Sequence, residues 1–204
     1  MTTTRETNNK LTLDIETREA SLKATGYLVD SKSVVVFDII QAQSLYRNGF
    51  FGKPIGLRKP KSFDFQLPIQ LSLFEACYLL EKDTLELYSL ETNEKIDKTK
   101  LFKIANTVYP FFDAEYTVYK HLRDKGFVVR PGLKFGSRFA VYEHGPGIDH
   151  APFLVHVLPS KAEITAIDIL RTGRLATTVR KKFIISMINE EGNPEFYGFT
   201  WLKL

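Results

Sequence analysis

The stretch that most constrains the fold is a tight loop between two strand-like runs in the second half of the chain. The runs cover 134–143 and 153–158, and the loop between them contains Gly145, Pro146 and Gly147. Glycine reaches backbone angles that other residues avoid and proline fixes φ, so the path of this loop is closely specified. Loops held by a rigid scaffold commonly carry binding and catalytic groups. The sequence therefore predicts a functional site where these strands turn.

The residues that could carry chemistry lie at the ends of this loop and at the start of a later strand. Tyr142 is the next-to-last residue of the first run, His150 ends the loop, and Lys181 opens a strand after a predicted helix. Each has an ordinary explanation when taken alone: a packed aromatic ring, a structural imidazole and a surface lysine. Together they supply what RNA cleavage without a metal requires. These are a base for the 2′-hydroxyl, an acid for the leaving 5′-oxygen and a cation for the charge on phosphorus.

The order of elements predicts two domains of α/β (α+β) class. A polar tail at 1–20 is expected to be frayed, and 21–106 alternates short strands and helices as a small mixed domain. The second domain, 107–204, begins with a helix and ends with a hairpin whose turn is EEGNP. A loop at 51–68 holds three prolines, two glycines and four basic residues. Because it is long for a compact domain, it indicates a functional element.

Local signals mark the ends of several helices. Two pairs have the spacing of a capping box: Ser72 with Glu75, and Ser160 with Glu163. Gly49 is expected to end the helix that precedes it, whereas Gly173 is expected to end or bend the helix that starts near Ser160.

The composition, 44% apolar and 25% charged, is that of an ordinary water-soluble globular protein. No apolar run approaches membrane-spanning length, and the polar N-terminus is unlike a secretory signal. The single cysteine, Cys77, cannot form an internal disulfide, and no Cys/His pattern for zinc is present, so a reducing cytoplasm is expected. The net charge of +4 is mild, but basic residues cluster at 53–61 and 180–182. Such clusters are either contacts for a polyanion or solvated surface.

Two segments resemble the archaeal tRNA-splicing endonucleases: KFGSRFAVYEHGPGIDHAPFLVHV at 134–157 and GRLATTVRKKFIIS at 173–186. RNGFFGKPIG and LSLFEACYLLEK in the first half resemble that family's small N-terminal domain. The resemblance implies a C-terminal restriction-endonuclease-like α/β nuclease domain. It also implies that Tyr142 is the base, His150 the acid and Lys181 the cation at the scissile phosphate. Lys182 is the adjacent alternative to Lys181.

The resemblance also implies a substrate and its products. The substrate is the bulge–helix–bulge at the intron junctions of precursor tRNA, cut without metal or other cofactor to a 2′,3′-cyclic phosphate and a 5′-hydroxyl. The family holds a flipped bulge base between two arginines. Arg174 matches the first, and the second is expected near Thr200, where this chain has no arginine. Trp201 is the nearest flat side chain that could stack on a base instead.

A partner subunit is implied by two further features. The loop at 51–68 resembles an insertion in the crenarchaeal-type enzymes, which assemble from two catalytic and two structural subunits. The likeness implies that Lys59 and Lys61 contact RNA and that a paralogous structural subunit completes an α2β2 tetramer. Acidic residues of the final hairpin resemble a family loop that docks into a basic pocket of a neighbouring subunit: Glu190, Glu191 and Glu195.

Two alternative functions remain open on the sequence. A metal-dependent nuclease of restriction type could share this core, but it needs an acidic pair on its central strands to hold Mg²⁺. The central strand instead offers Arg138 and Tyr142. A non-catalytic subunit of the same complex, acting in RNA binding and assembly, is the second alternative. Such subunits lack the Tyr, His and Lys set, which is present here.

Overall fold

The computed structural model describes residues 23–57, 60, 62–132, 136–159, 165–178 and 180–199. Some predicted features lie outside the described residues: the tail at 1–20, the capping box at Ser160 and Glu163, Lys59, Lys61 and Trp201. The chain divides into two units, Met1–Pro110 and Phe111–Leu204. Among the residues described, each helix is too short or too polar to cross a lipid bilayer.

The N-terminal unit is built on one mixed sheet. Its elements are β1 (Ala24–Leu28), β2 (Ser33–Val36), α1 (Ile39–Arg47), β3 (Lys53–Pro54), β4 (Ile69–Ser72), α2 (Leu73–Glu81), β5 (Leu85–Ser89) and α3 (Lys98–Val108). The strand order is β3-β4-β2-β1-β5, with β1 and β5 parallel and the other neighbours antiparallel. Alternating apolar residues such as Val34, Leu71 and Leu87 are fully buried. The predicted α+β class is therefore confirmed for this unit.

The predicted capping box at Ser72 is confirmed. The Ser72 hydroxyl accepts the backbone N–H of Glu75, and the Glu75 carboxylate accepts the backbone N–H of Ser72 at 2.8 Å. The same carboxylate accepts the N–H of Gly52 at 2.8 Å. Because Glu75 is only 3% exposed, these bonds satisfy a buried charge. They also tie the start of the 51–68 loop to helix α2.

The predicted glycine cap at Gly49 is wrong. Helix α1 ends at Arg47 with Asn48 as its C-cap, and the left-handed residue is Phe50, with φ of 55°. A non-glycine residue in this region costs roughly 1–2 kcal/mol. The Phe50 ring offsets that cost by full burial, with its centroid 5.3 Å from Tyr46 and 5.6 Å from Phe63. Tertiary packing therefore overrides the glycine signal.

The C-terminal unit is a second mixed sheet between two helices. Its elements are α4 (Phe112–Asp124), β6 (Val128–Pro131), β7 (Phe139–Tyr142), β8 (Phe153–Leu158), α5 (Ala166–Thr178), β9 (Lys182–Ile188) and β10 (Pro194–Phe199). The order is β10-β9-β8-β7-β6, with only β8 and β9 parallel among these strands. A parallel pair needs a crossover connection, which α5 provides. The predicted hairpin around EEGNP is confirmed as β9 and β10.

The two faces of this sheet are buried separately. On one face Leu154, Phe183 and Ile185 are at most 3% exposed, and Ile169 of α5 packs against them. On the other face the rings of Tyr119 in α4 and Phe139 in β7 are 5.8 Å apart. Burial on both faces gives this sheet the rigidity that a site at its end requires.

Helix α5 continues through Gly173 to Thr178, so of the two predicted alternatives an end at that glycine is wrong, and a bend there stays a prediction. Glycine lowers helix stability by about 1 kcal/mol but does not by itself end a helix. The hydroxyl of Thr177 donates to the carbonyl of Gly173 at 2.8 Å, within the continuing helix. The strand predicted over 134–143 is also shorter: 134 and 135 lie outside the described residues, and within 136–143 the strand β7 covers only Phe139–Tyr142.

Candidate active site

The strand order brings three predicted residues to one end of the C-terminal sheet. Tyr142 is the last residue of β7, His150 lies just before β8, and Lys181 immediately precedes β9. In the ladder, Phe153 pairs with Val141 on one side and with Lys182 on the other. The end of β7 and the starts of β8 and β9 therefore meet. Adjacent strands are about 4.8 Å apart, so side chains from all three can reach one bound group.

Tyr142 is half-buried beside the hydrophobic core of this unit. Burial raises the pKa of the Tyr142 phenol; the positive charge of Arg130 lowers it and the negative charge of Asp149 raises it further. Arg130 pairs with Ala140 and Val128 pairs with Tyr142, so Arg130 projects on the same face as the phenol. The phenol is therefore held with its proton, beside a cation that favours its release.

Lys181 reaches across the strand end to the chain that follows the loop. Its ammonium donates to the carbonyl of Ala151 at 2.5 Å. Burial lowers the pKa of this ammonium, and the charge of Asp149 acts in the opposite direction. Lys182 is turned elsewhere, because its ammonium lies 5.7 Å from the centroid of the Phe153 ring. Of the two adjacent lysines, Lys181 is the one next to the loop.

The turn from α5 into β9 directs Lys181 toward the loop. Arg180 has a φ of 55°, and its N–H donates to the carbonyl of Thr177 at 3.0 Å. A left-handed residue of this kind commonly follows a helix end and reverses the chain direction. The N–H of Lys182 then bonds to the carbonyl of Pro152 at 2.8 Å, which begins the β8–β9 ladder.

His150 is exposed at the exit of the loop. Its neighbours on both sides are bonded to other parts of the site, since Asp149 accepts bonds from the loop and Ala151 accepts the bond from Lys181. The imidazole is thus carried on an anchored stretch of backbone and is open to solvent. That combination suits a group that must meet a large substrate.

Asp149 is the residue that the sequence reasoning missed. Its carboxylate accepts three consecutive backbone N–H groups of the loop: those of Glu143, His144 and Gly145, at 3.0, 3.2 and 2.9 Å. The signal was present, because aspartate often accepts backbone N–H groups within turns. Gly145 and Gly147 have φ of 130° and 96°, which explains the glycines of this loop.

The other predicted site residues that the structure describes are Arg174 and the three glutamates of the hairpin. Arg174 is exposed on helix α5. The acidic hairpin turn follows β9, whose seven residues at about 3.3 Å each put it roughly 20 Å from Lys181. Glu190 and Glu191 are exposed there. Glu195 is bonded within the hairpin, because its carboxylate accepts from Asn189 at 3.1 Å and from the Tyr197 hydroxyl at 2.5 Å.

One end of the sheet in this α+β unit thus carries side chains that can act as an acid, a base and a cation. Side chains of this kind are what an enzyme of acid–base chemistry uses. Comparison with known families gives its class. The model of the tRNA intron endonuclease catalytic C-terminal domain matches residues 112–196, and that of the tRNA intron endonuclease N-terminal domain matches residues 24–102. The chain belongs to the tRNA intron endonuclease family.

Relatives from archaea match more than four fifths of this chain and more than nine tenths of their own length. A tRNA-splicing endonuclease of Hyperthermus butylicus is 45% identical over 83% of this chain and 93% of its own. The protein of the same name from Sulfurisphaera tokodaii is 41% identical over 88% of this chain and 99% of its own. One from Pyrobaculum arsenaticum is 41% identical over 84% and 96%. The predicted resemblance is confirmed.

Proposed function

We propose that this chain cuts precursor tRNA at bulge–helix–bulge intron junctions by transesterification, with Tyr142, His150 and Lys181 as its catalytic residues. The observation that supports the proposal is that the ends of β7, β8 and β9, which carry or adjoin these three residues, lie next to one another in the sheet. Membership of the tRNA intron endonuclease family supports the choice of precursor tRNA as substrate. We also propose that the protein acts in the cytoplasm.

In the proposed reaction one phosphoester bond forms as another breaks. The 2′-oxygen attacks phosphorus while Tyr142 accepts its proton, and the bond to the 5′-oxygen breaks while His150 donates a proton to it. The products are a 2′,3′-cyclic phosphate and a 5′-hydroxyl. The Lys181 ammonium stabilises the negative charge on the non-bridging oxygens. Burial raises the pKa of the Tyr142 phenol on balance, so the base role belongs to the fraction of the protein in which Tyr142 is ionised, and the charge of Arg130 enlarges that fraction.

The proposed contacts with RNA extend beyond the reacting atoms. Arg174, exposed on α5, would stack on a flipped bulge base, and Trp201 would take the position of the second clamping residue. Lys59 and Lys61 would hold the phosphate backbone from the 51–68 loop. These contacts would position the bulge so that its scissile phosphate meets the strand ends.

The test of this function is cleavage of a bulge–helix–bulge RNA in excess EDTA, by the chain alone and with a candidate structural subunit. We expect cutting to persist in chelator and to leave cyclic phosphate ends, which resist ligation to a 5′-phosphate until the ring is opened and the phosphate is removed. Loss of cutting in chelator with 3′-hydroxyl products would identify a metal-dependent nuclease. RNA binding with no cutting under any pairing of subunits would identify a non-catalytic subunit.

The pH dependence of cleavage should report the protonation of Lys181. Burial lowers the pKa of its ammonium, so the charge is lost at a lower pH than the ordinary value of 10.5. If the cation is needed, the single-turnover rate of the wild type divided by that of Lys181→Arg should fall as pH rises, with a midpoint below 10.5, because the other acid and base groups are common to both proteins and cancel. Lys181→Arg is the reference because a guanidinium stays charged up to pH about 12.

Lys182→Arg is the matched control for that measurement. Its ammonium lies over the Phe153 ring, so the rate of Lys182→Arg divided by that of Lys181→Arg should fall with pH as the wild-type ratio does. If the ratio of wild type to Lys182→Arg falls with pH while the ratio of wild type to Lys181→Arg stays flat, the cation role would move to Lys182. Background hydrolysis of the RNA is subtracted at each pH from a reaction without protein.

A further inference from the structure

The carboxylate of Asp149 is the central acceptor of the loop between β7 and β8. One oxygen, Oδ2, accepts the N–H groups of Glu143 and His144, and the other, Oδ1, accepts that of Gly145. The loop closes on itself as well, because the N–H groups of Ile148 and Asp149 both bond to the carbonyl of Gly145 at 3.1 Å. Both oxygens of one side chain thus hold three successive peptide groups.

These bonds span the interval between two of the proposed catalytic residues. Glu143 directly follows Tyr142, and Asp149 directly precedes His150. The hydrogen bond between Glu143 and Asp149 therefore fixes the distance between the backbone positions from which the Tyr142 and His150 side chains project. On the other side of His150, the carbonyl of Ala151 accepts the Lys181 ammonium. The three functional groups therefore depend on one short, cross-bonded segment.

The charge of Asp149 acts on the same groups. It raises the pKa of the Tyr142 phenol and that of the Lys181 ammonium, in each case alongside the larger effect of burial. The other charged group that acts on the phenol is Arg130 of β6. Asp149 therefore lies close enough to both side chains for its charge to favour the protonated lysine beside the loop.

We propose that Asp149 is a positioning residue of this active site: by holding the loop backbone, its carboxylate sets the spacing of Tyr142 and His150 and the place of the Ala151 carbonyl that Lys181 bonds. This inference rests on the proposed function, because it assigns a role within that site. Asp149 itself neither accepts nor donates the transferred protons. It acts through the geometry and charge of the three residues that do.

The chemistry of the contacts explains why a carboxylate is required. An asparagine has a single acceptor oxygen, and its NH₂ group would face at least one of the three N–H donors. Asp149→Asn therefore removes one or two of the bonds and the negative charge while keeping size and shape. Misplacement of a reacting group by about 1 Å can lower a rate by about 10²-fold. We expect a reduction of about 10- to 10²-fold in Asp149→Asn.

The experiment measures single-turnover cleavage and RNA affinity separately, on the full chain assembled with whatever subunit the wild type needs. The probe is a bulge–helix–bulge RNA. Asp149→Asn should lower the single-turnover rate while the dissociation constant stays within about 3-fold of wild type. Asp149→Glu, which keeps two acceptor oxygens and the charge, should recover part of the lost rate. The matched control is Asp30→Asn, because Asp30 also accepts a backbone N–H in an exposed turn, that of Lys32 at 2.7 Å.

The outcomes separate this inference from the proposed function. If the wild type does not cut the RNA under any pairing of subunits, the proposed function fails. If the wild type cuts and Asp149→Asn cuts within about 3-fold of it, the positioning role is wrong. Affinity that falls in step with the rate, or Asp149→Glu no faster than Asp149→Asn, would also overturn it. Should Asp149→Asn not fold, the rate and affinity of Asp149→Glu decide, since a displaced carboxylate must still slow cleavage selectively.

Discussion

His150→Ala is expected to slow cleavage of a bulge–helix–bulge RNA by about 10²-fold or more, because general acid catalysis by a placed group contributes roughly 10²–10⁴-fold. The loss should fall on the chemical step. The 5′-oxygen leaves as an alkoxide when no acid is present, whereas the contacts proposed to hold the RNA lie on other residues. We therefore expect the dissociation constant of the RNA to change little, and the single-turnover rate to carry the effect.

The loop offers a matched control for that substitution. His144 is an exposed histidine of the same loop, and its backbone N–H, which Asp149 accepts, is retained in His144→Ala. This variant should cut at nearly the wild-type rate. Because His150 is exposed, added imidazole should enter its vacated position and restore part of the rate in His150→Ala. Equal losses in the two variants would mean that the loop, not the His150 imidazole, is what matters.

Glu190→Lys combined with Glu191→Lys is expected to break the proposed α2β2 tetramer and abolish cleavage with it. Two scissile bonds, one in each bulge, require two active sites at a fixed separation, which a symmetric tetramer supplies. The proposed docking element is the exposed hairpin turn, roughly 20 Å along β9 from Lys181. Reversing its charge would oppose a basic pocket on the partner without touching the catalytic residues. The isolated chain is correspondingly expected to be inactive or weakly active until a related subunit is added.

The measurement is the elution volume on a sizing column, followed by cleavage assays on the same fractions. The reversed-charge variant should elute as smaller species, with activity lost in parallel. Glu91→Lys with Glu94→Lys changes the net charge equally in an exposed turn of the N-terminal unit and should assemble normally. Glu195 is left unchanged because its carboxylate is bonded within the hairpin. An assembled and active variant, or a homotetramer of this chain that cuts fully, would contradict the prediction.

Features that depend on neighbouring residues were determined by the sequence alone. The Ser72–Glu75 capping box, the strand at 153–158 and the hairpin around EEGNP all match the structure. Each is decided by contacts within a few residues: a side chain bonding its own helix end, a β-rich run, or a turn with glycine. The resemblance also named Tyr142, His150 and Lys181 as site residues, but their roles remain predictions.

Features that depend on distant packing were decided only by the tertiary structure. Phe50 adopts a left-handed conformation because its ring is buried among other aromatic rings, and α5 continues through Gly173. Strand order brings the ends of β7, β8 and β9 together, and the ladder directs Lys181, not Lys182, to the loop. Asp149 combines both kinds of feature: its three N–H donors lie four to six residues away and are local, whereas its effect on Lys181 depends on the pairing of β8 with β9. Local sequence specifies caps and turns, whereas pairing of distant strands decides which side chains meet.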